Sequence, residues 1–371
     1  MADTFYYSRD TKVHLTDSAG AIYKIPVLDG FSFSQATNTS EITLNEMATS
    51  AGVSRRARQM FTDSYAPAEW SISTYIRPFK SGGAGSGGEH DAVAHHMVEE
   101  ALWNALAGSG AVGASGTALT ADGTDANIAF TNSNKVALDT FTLEFEMGSG
   151  KSNPTIYKIT DCVVNEVSID FDIDGIATAN WSGFGSIITE ESSMSTATIF
   201  EGTAAADTNN FIRNRLTDLT VTATAAGSIT TAYTLTLTGG NITISNNMTY
   251  LTPETLGIIN QPLGHVTGTR SVSGTFTCYL NTPASGTSSA DLFEDIIEST
   301  EVITNDFDLT FVIGGTGNTP RVTMNLNTCH LEVPTHSIDD IVSLETSFHA
   351  LPTSVDAVDE IDMIFVGPTV T

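Results

Sequence analysis

The 371-residue chain reads as a mainly β protein of two tandem β-sandwich or barrel-forming domains, residues 1–200 and 201–371, each with one central α-helix. Thr, Ser, Gly, Val and Ile are abundant and charged helix formers are sparse, the composition of strands joined by many turns. Strict alternation marks the most regular segment, where Val167, Ile169, Phe171 and Ile173 interleave with Ser168, Asp170, Asp172 and Asp174. An internal repeat then divides the chain in two.

Taken in order, "YKIPVLDG" at 23–30 lies over "YTLTLTGG" at 233–240, with Tyr23 on Tyr233 and Gly30 on Gly240, an offset of 210. Excursions at 31–70 and 241–274 follow, each long enough to read as an arm or a partly paired hairpin. "SISTYI" at 71–76 lies over "TFTCYL" at 275–280, Tyr75 on Tyr279, offset 204. The one convincing helix of each half comes next. "HDAVAHHMVEEALWNALAG", with Val93, Met97, Leu102 and Leu106 at helical spacing, begins over "SADLFEDIIEST", Asp91 on Asp291, offset 200. "FTLEFEMGSG" from Phe141 matches "FDLTFVIGGTG" from Phe307 at 166, and "IDGIA" at 173–177 matches "IDDIV" at 338–342 at 165. The fall of 34 in offset is one insertion in the first half, at about 108–138, rich in Gly, Ala, Ser and Thr.

Charge excludes some functions. With 43 acidic and 15 basic residues the formal charge is −28, so a cationic nucleic-acid groove is not expected; a wall past which nucleic acid slides without sticking would be acidic or neutral. The N-terminus "MADTFYYSRD" has no basic patch followed by an apolar core, and no run approaches a membrane span, so the expectation is a soluble chain made in the cytosol. Cys162, Cys278 and Cys329 lie far apart in strand-like runs and read as small buried apolar residues.

Asp170, Asp172, Asp174 and Gly175 match the opening of an EF-hand loop, but the twelfth position, which needs a bidentate Glu, is Trp181, and the alternation is that of a strand. His90, His95 and His96 cluster without a cysteine or second spaced pair and read as histidines on a surface helix. The Gly-rich "KSGGAGSGGEH" at 80–90 has its only Lys ahead of the glycines and reads as a loop. GxSxG, GxxxxGK[ST] and HExxH are absent, so no catalytic residue, cofactor or metal is expected.

"YKIPVLDGFSFSQATNTSEITLNEM" at 23–47, "EEALWNALAG" at 99–108 and "VSIDFDIDGIATANWSGFG" at 167–185 resemble the phage tail tube proteins. The resemblance covers both halves, the first more clearly. It implies a structural virion protein, with no cofactor, that self-assembles into stacked rings forming a hollow conduit for DNA ejection. In that family each domain contributes an inner sheet, and six domains close a ring, so a duplicated chain would form a trimeric, pseudo-hexameric ring. The implied partners are further copies of the chain, other tail proteins (terminator, baseplate or tip, sheath) and passing viral DNA that is not specifically bound; no membrane is involved, and assembly takes place in the host bacterial cytoplasm. Asp170, Asp172, Asp174, Asp339 and Asp340 become candidates for the lumen wall, although the residues alone allow an outward-facing, solubilising role equally. Arg55, Arg56, Arg58 and Phe61 become candidates for an inter-ring arm that docks on an acidic neighbour. The alternative class is a virion decoration or adhesin-like binding module.

Overall fold

The computed structural model describes residues 5–42, 59–80, 95–108, 119–121, 126–130, 138–195, 199–200, 208–223, 232–252, 262–282, 287–298, 307–315 and 319–369. The first half begins with β1 (Lys12–Thr16), β2 (Ile22–Ile25), β3 (Ser32–Ile42), β4 (Gln59–Tyr75), β5 (Pro78–Lys80) and β6 (His95–Met97). Helix α1 (Glu100–Ala107) follows, then β7 (Leu119–Ala121), β8 (Ala126–Ala129), β9 (Phe141–Met147), β10 (Thr155–Asp172), β11 (Thr178–Gly185), β12 (Ile188–Glu191) and β13 (Ile199–Phe200). The second half has β14 (Asp218–Ala223), β15 (Ala232–Thr234), β16 (Thr236–Ser245), β17 (Thr249–Leu251), β18 (Gly264–Val266) and β19 (Ser271–Tyr279). Helix α2 (Ser289–Glu298), β20 (Phe307–Ile313), β21 (Arg321–Leu331), β22 (Thr335–Ile338), β23 (Val342–Ala350) and β24 (Asp362–Val366) complete it.

One wide antiparallel sheet runs through both halves in the order β3-β4-β11-β10-β16-β19-β23-β22. Behind it lie two smaller sheets, β2-β1-β9-β10-β12 and β15-β14-β20-β21-β24. Strand pairings recur between the halves. β1 holds β2 and β9 as β14 holds β15 and β20; β9 meets β10 as β20 meets β21; β3-β4-β11 is ordered as β16-β19-β23. Among its described residues the 108–138 segment contributes β7 and β8, and β8 pairs with β24, so these strands extend the sheet behind the second half.

β10 serves both layers. Its Thr155–Cys162 stretch pairs with β9, and Glu166–Asp172 pairs with β11 and β16. The step between them is a bulge, with a register shift between Val164 and Glu166, and Asp161 nearby sits at φ 52, a left-handed conformation that Asp tolerates better than a branched residue. Alternation puts Val167, Ile169 and Phe171 on the buried side, as the sequence predicts, but the strand ends at Asp172 and Ile173 lies exposed in the turn.

The apolar side of the wide sheet forms one continuous core with the sheets behind it. Ring contacts bridge the layers: Phe33 to Phe145 at 4.7 Å, Trp70 to Phe141 at 5.8 Å, Trp181 to Trp103 of α1 at 4.7 Å, and Phe348 to Phe311 at 5.5 Å. Each half also matches a large ring to a glycine on the neighbouring strand. A Cβ on Gly183 would lie 2.5 Å from the Trp70 ring, and a Cβ on Gly274 would lie 2.7 Å from the Phe348 ring. Gly183 of β11 stands opposite Trp70 of β4, and Gly274 of β19 stands opposite Phe348 of β23, so in each pair the large ring fills the space beside the glycine.

The helix of the first half is shorter than its spacing predicts. Described residues His95–Met97 form β6 against β5, and only Glu100–Ala107 is helical; His90, Asp91 and Val93 lie outside the described residues. The reason is burial on every side: Glu100 turns back to take the Met97 amide, 3.3 Å, and His96 Nδ1, 3.0 Å, which ends the strand and starts the helix. The expected surface histidines are instead interior, His95 and His96 being 3% and 7% exposed. α2 starts conventionally, the Ser288 amide donating to Asp291 Oδ2 and the Asp291 amide to Ser288 Oγ, a reciprocal cap. Cys162, Cys278 and Cys329 are buried and unpaired, as expected, and burial pushes the Cys278 thiol up to about 11 and that of Cys329 to about 12.

Candidate functional site

The polar face of the wide sheet is the first candidate. Residues directly opposite across strands share a face, so the registers assemble it row by row. One row is Ser32, Ser71, Ser182, Glu166, Ser245 and Ser271; the next is Ser73, Asn180, Ser168, Thr243, Ser273 and His349. A third carries Tyr75, Thr178, Asp170, Asn241, Thr275 and Ser347, and beyond it stand Asp172, Gly239, Thr277 and Glu345. No Lys or Arg occurs in β3, β4, β11, Glu166–Asp172 of β10, β16, β19, β23 or β22. Small neutral side chains therefore alternate with isolated carboxylates. The neighbouring amides satisfy some of these: Ser73 Oγ donates to Asn180 Oδ1 at 2.7 Å and Asn180 Nδ2 donates to Asp170 Oδ2 at 3.2 Å. Cations appear on the sheet behind, where Lys12 reaches Glu146 at 3.4 Å and Lys158 reaches Glu191 at 3.9 Å.

The predicted acidic residues separate on this map. Asp170 and Asp172 stand on the polar face, exposed. Asp174 lies in the β10–β11 turn, 3.7 Å from Arg215, and Asp339 and Asp340 lie exposed in the β22–β23 turn at one rim of the sheet.

The two excursions behave differently. β3 and β4 continue as a two-stranded ribbon out to Ile42 opposite Gln59, exposing Ile42, Met60 and Phe61 near its end. Phe61 is thus placed on an arm, whereas Arg55, Arg56 and Arg58 lie outside the described residues. The second excursion folds back as the hairpin β17–β18 and docks on the first half. Tyr250 hydroxyl donates to the Asp161 carbonyl at 3.1 Å, the Met248 amide to Asn165 Oδ1 at 2.8 Å, and Asn246 Nδ2 to the carbonyls of Leu106 and Val164 at 3.0 and 3.2 Å. Leu138, Val163, Met248 and Tyr250 close a small apolar cluster beneath.

A buried polar cluster, missed by the sequence reading, joins the halves elsewhere. Arg77 donates to Asn210 Oδ1 from Nε at 3.1 Å and Nη2 at 2.9 Å, and its guanidinium lies 4.3 Å from the Phe211 ring centre. Glu99 accepts from the Arg77 amide at 3.3 Å and Trp103 Nε1 at 3.5 Å, and burial pushes its carboxyl up to about 7. The available signal was the Glu99–Glu100 pair set between Val98, Ala101 and Leu102, where a helix with no polar side must bury its acids.

The chain is a mainly β protein built on one wide sheet whose described strands carry no Lys or Arg on their polar face. Comparison with known proteins gives the family: a model described as phage tail tube protein matches residues 62–350. The tail tube protein pb6 of Escherichia phage T5 is 30% identical over 353 residues, covering 91% of this chain and 69% of that protein. The chain belongs to the phage tail tube protein family and is a structural component of the virion tail.

Proposed function

We propose that the chain is a duplicated tube subunit, with domains at 1–200 and 201–371, three copies of which close a pseudo-hexameric ring that stacks into the tail tube. The observation that carries this reading is the wide sheet: two blocks, β3-β4-β11-β10 and β16-β19-β23-β22, joined side by side, with an end strand on each side that has no outer partner among the described residues. Closure by further copies removes both open edges, which would otherwise template aggregation. The polar face then lines a channel through which viral DNA is ejected. Carboxylates without cations repel phosphate and give it nothing to pair with, so the polymer slides. Asp170 and Asp172 lie on the wall, with Asp174, Asp339 and Asp340 at its rim. The β3–β4 ribbon, with Phe61 on its side, serves as the inter-ring arm, and Arg55, Arg56 and Arg58, between its two strands in sequence, supply its docking charges. Other tail proteins cap the ends, and assembly takes place in the host cytoplasm.

End-on class averages of the purified protein by negative-stain electron microscopy test the reading. Hollow rings or tubes with six-fold-looking walls and three chains per ring are expected. Particles that stay monomeric at every concentration, and bind intact virions from outside, would replace it with a decoration module.

A further inference from the structure

The junction between the two halves is a template for the contact between copies. Inside the chain β10 pairs with β16, placing Asp170 opposite Asn241, Ile169 opposite Ile242 and Phe171 opposite Gly240. The two open edges hold equivalent positions. Asp170 is reached from Tyr75 through Thr178, and Ser337 is reached from Tyr279 through Ser343. Asn241 stands opposite Thr275 and Ser32 opposite Ser71, each four residues before the same tyrosines. Ser337 therefore occupies the place of Asp170, and Ser32 that of Asn241.

Resting on the ring reading above, we propose that β22 of one copy pairs antiparallel with the start of β3 of the next in this inherited register: Ser337 opposite Ser32, His336 opposite Phe33 and Ile338 opposite Phe31. Volume supports the assignment. At the internal junction Phe171, 2% exposed, lies over Gly240, where a Cβ would come within 2.8 Å of its ring. At the edges the Phe171 place is taken by Ile338, 80% exposed, and the Gly240 place by half-buried Phe31. The larger group has changed strands, as it has between Trp70/Gly183 and Phe348/Gly274 within the halves. The pairing covers Ile338 and opposes no like charges, since Thr335–Ile338 and Phe31–Ser34 contain no Asp, Glu, Lys or Arg. A register shifted by one residue would turn Ile338 to the polar face.

Cysteine cross-linking of assembled tubes tests this. Ser32 and Ser337 are exposed, and the native thiols are buried. Tubes of the Ser32→Cys/Ser337→Cys double variant, oxidised and run on a denaturing non-reducing gel, are expected to shift from the one-chain band to a closed three-chain band. The Ser34→Cys/Ser337→Cys pair, two residues out of register and beyond disulfide reach, and each single variant, are expected to stay as one-chain bands. Cross-linking by the shifted pair, or homotypic dimers from either single variant, would overturn the register, as would tubes of the double variant that form without cross-linking. Absence of rings and tubes from the unmodified protein would instead sink the ring reading beneath it.

Discussion

The β10–β16 junction inside the chain and the outer edges of the wide sheet, unpaired among the described residues, differ in cover. At the junction α1 is buried along its whole length and Asn246 of the second half donates to the Leu106 carbonyl at the helix end. Beside the open edge, α2 buries Leu292 but leaves Ile297 half-exposed, and its Phe293 stacks edge-on against His336 of β22 at 4.5 Å. The apolar groups Val333, Ile338 and Ile341, in β22 and the segments on either side of it, are exposed. Burial in the isolated chain thus tracks whether a neighbour is supplied by the chain itself, which makes apolar exposure here a map of missing contact.

The comparison breaks first if equivalent positions respond alike. Phe171→Ala empties a packed site touching Phe311, 5.6 Å between ring centres, and should cost about 3–5 kcal/mol of chain stability. Ile338→Ala, at the matching place on the open edge, should change the isolated chain by no more than about 0.5 kcal/mol. Urea unfolding of the dispersed chain measures both, and tube yield should fall for Ile338→Ala despite its unchanged stability. Equal losses from the two variants would mean that β22 is covered within the chain.

The two helix starts sharpen it further. α2 begins with a partly buried Asp291 bonded to Ser288, α1 with interior Glu99. Since the Glu99 carboxyl is raised from 4.5 to about 7 in the fold, the folded chain keeps a proton that the unfolded chain has lost across that window. Its contribution to stability is whole below pH 4.5 and declines as pH rises to 7, by about 3 kcal/mol. In paired urea melts Glu99→Gln should therefore gain on the parent by about that much between pH 4.5 and 7.5. A difference that stays constant with pH would show the carboxylate ionised throughout.

Much of the fold was legible because it rests on local period: Val167 to Asp172 alternates as a strand, and Tyr75 and Tyr279 each end a strand. What was hidden depends on distant partners. His95 and His96 read as helical in sequence yet form a strand, because β5 pairs with it and the Gly367 amide and the Glu100 carboxylate bind the two rings. Arg77 and Asn210 are 133 residues apart and meet only through the inter-half segment. Asp170 and Asp172 could be assigned to a strand face from sequence, but the absence of cations around them became visible only when seven other strands were laid alongside.

The arms supply the smallest contrast. The second arm folds back onto the bulge of β10, where Asp161 keeps its left-handed backbone and offers its carbonyl to the Tyr250 hydroxyl. Burial pushes the Tyr250 phenol well above its usual range, so it stays a neutral donor, and Tyr250→Phe removes one half-buried neutral hydrogen bond while keeping the ring against Val163 and Leu138. The expected cost is about 1 kcal/mol in chain stability, with faster amide exchange confined to β17–β18. Phe61→Ala on the first arm, whose ring is exposed, should leave both measurements unchanged and act only on assembly. A stability loss from Phe61→Ala matching that of Tyr250→Phe would show that the first arm also folds back on its own chain, and would remove it as a free contact for the next ring.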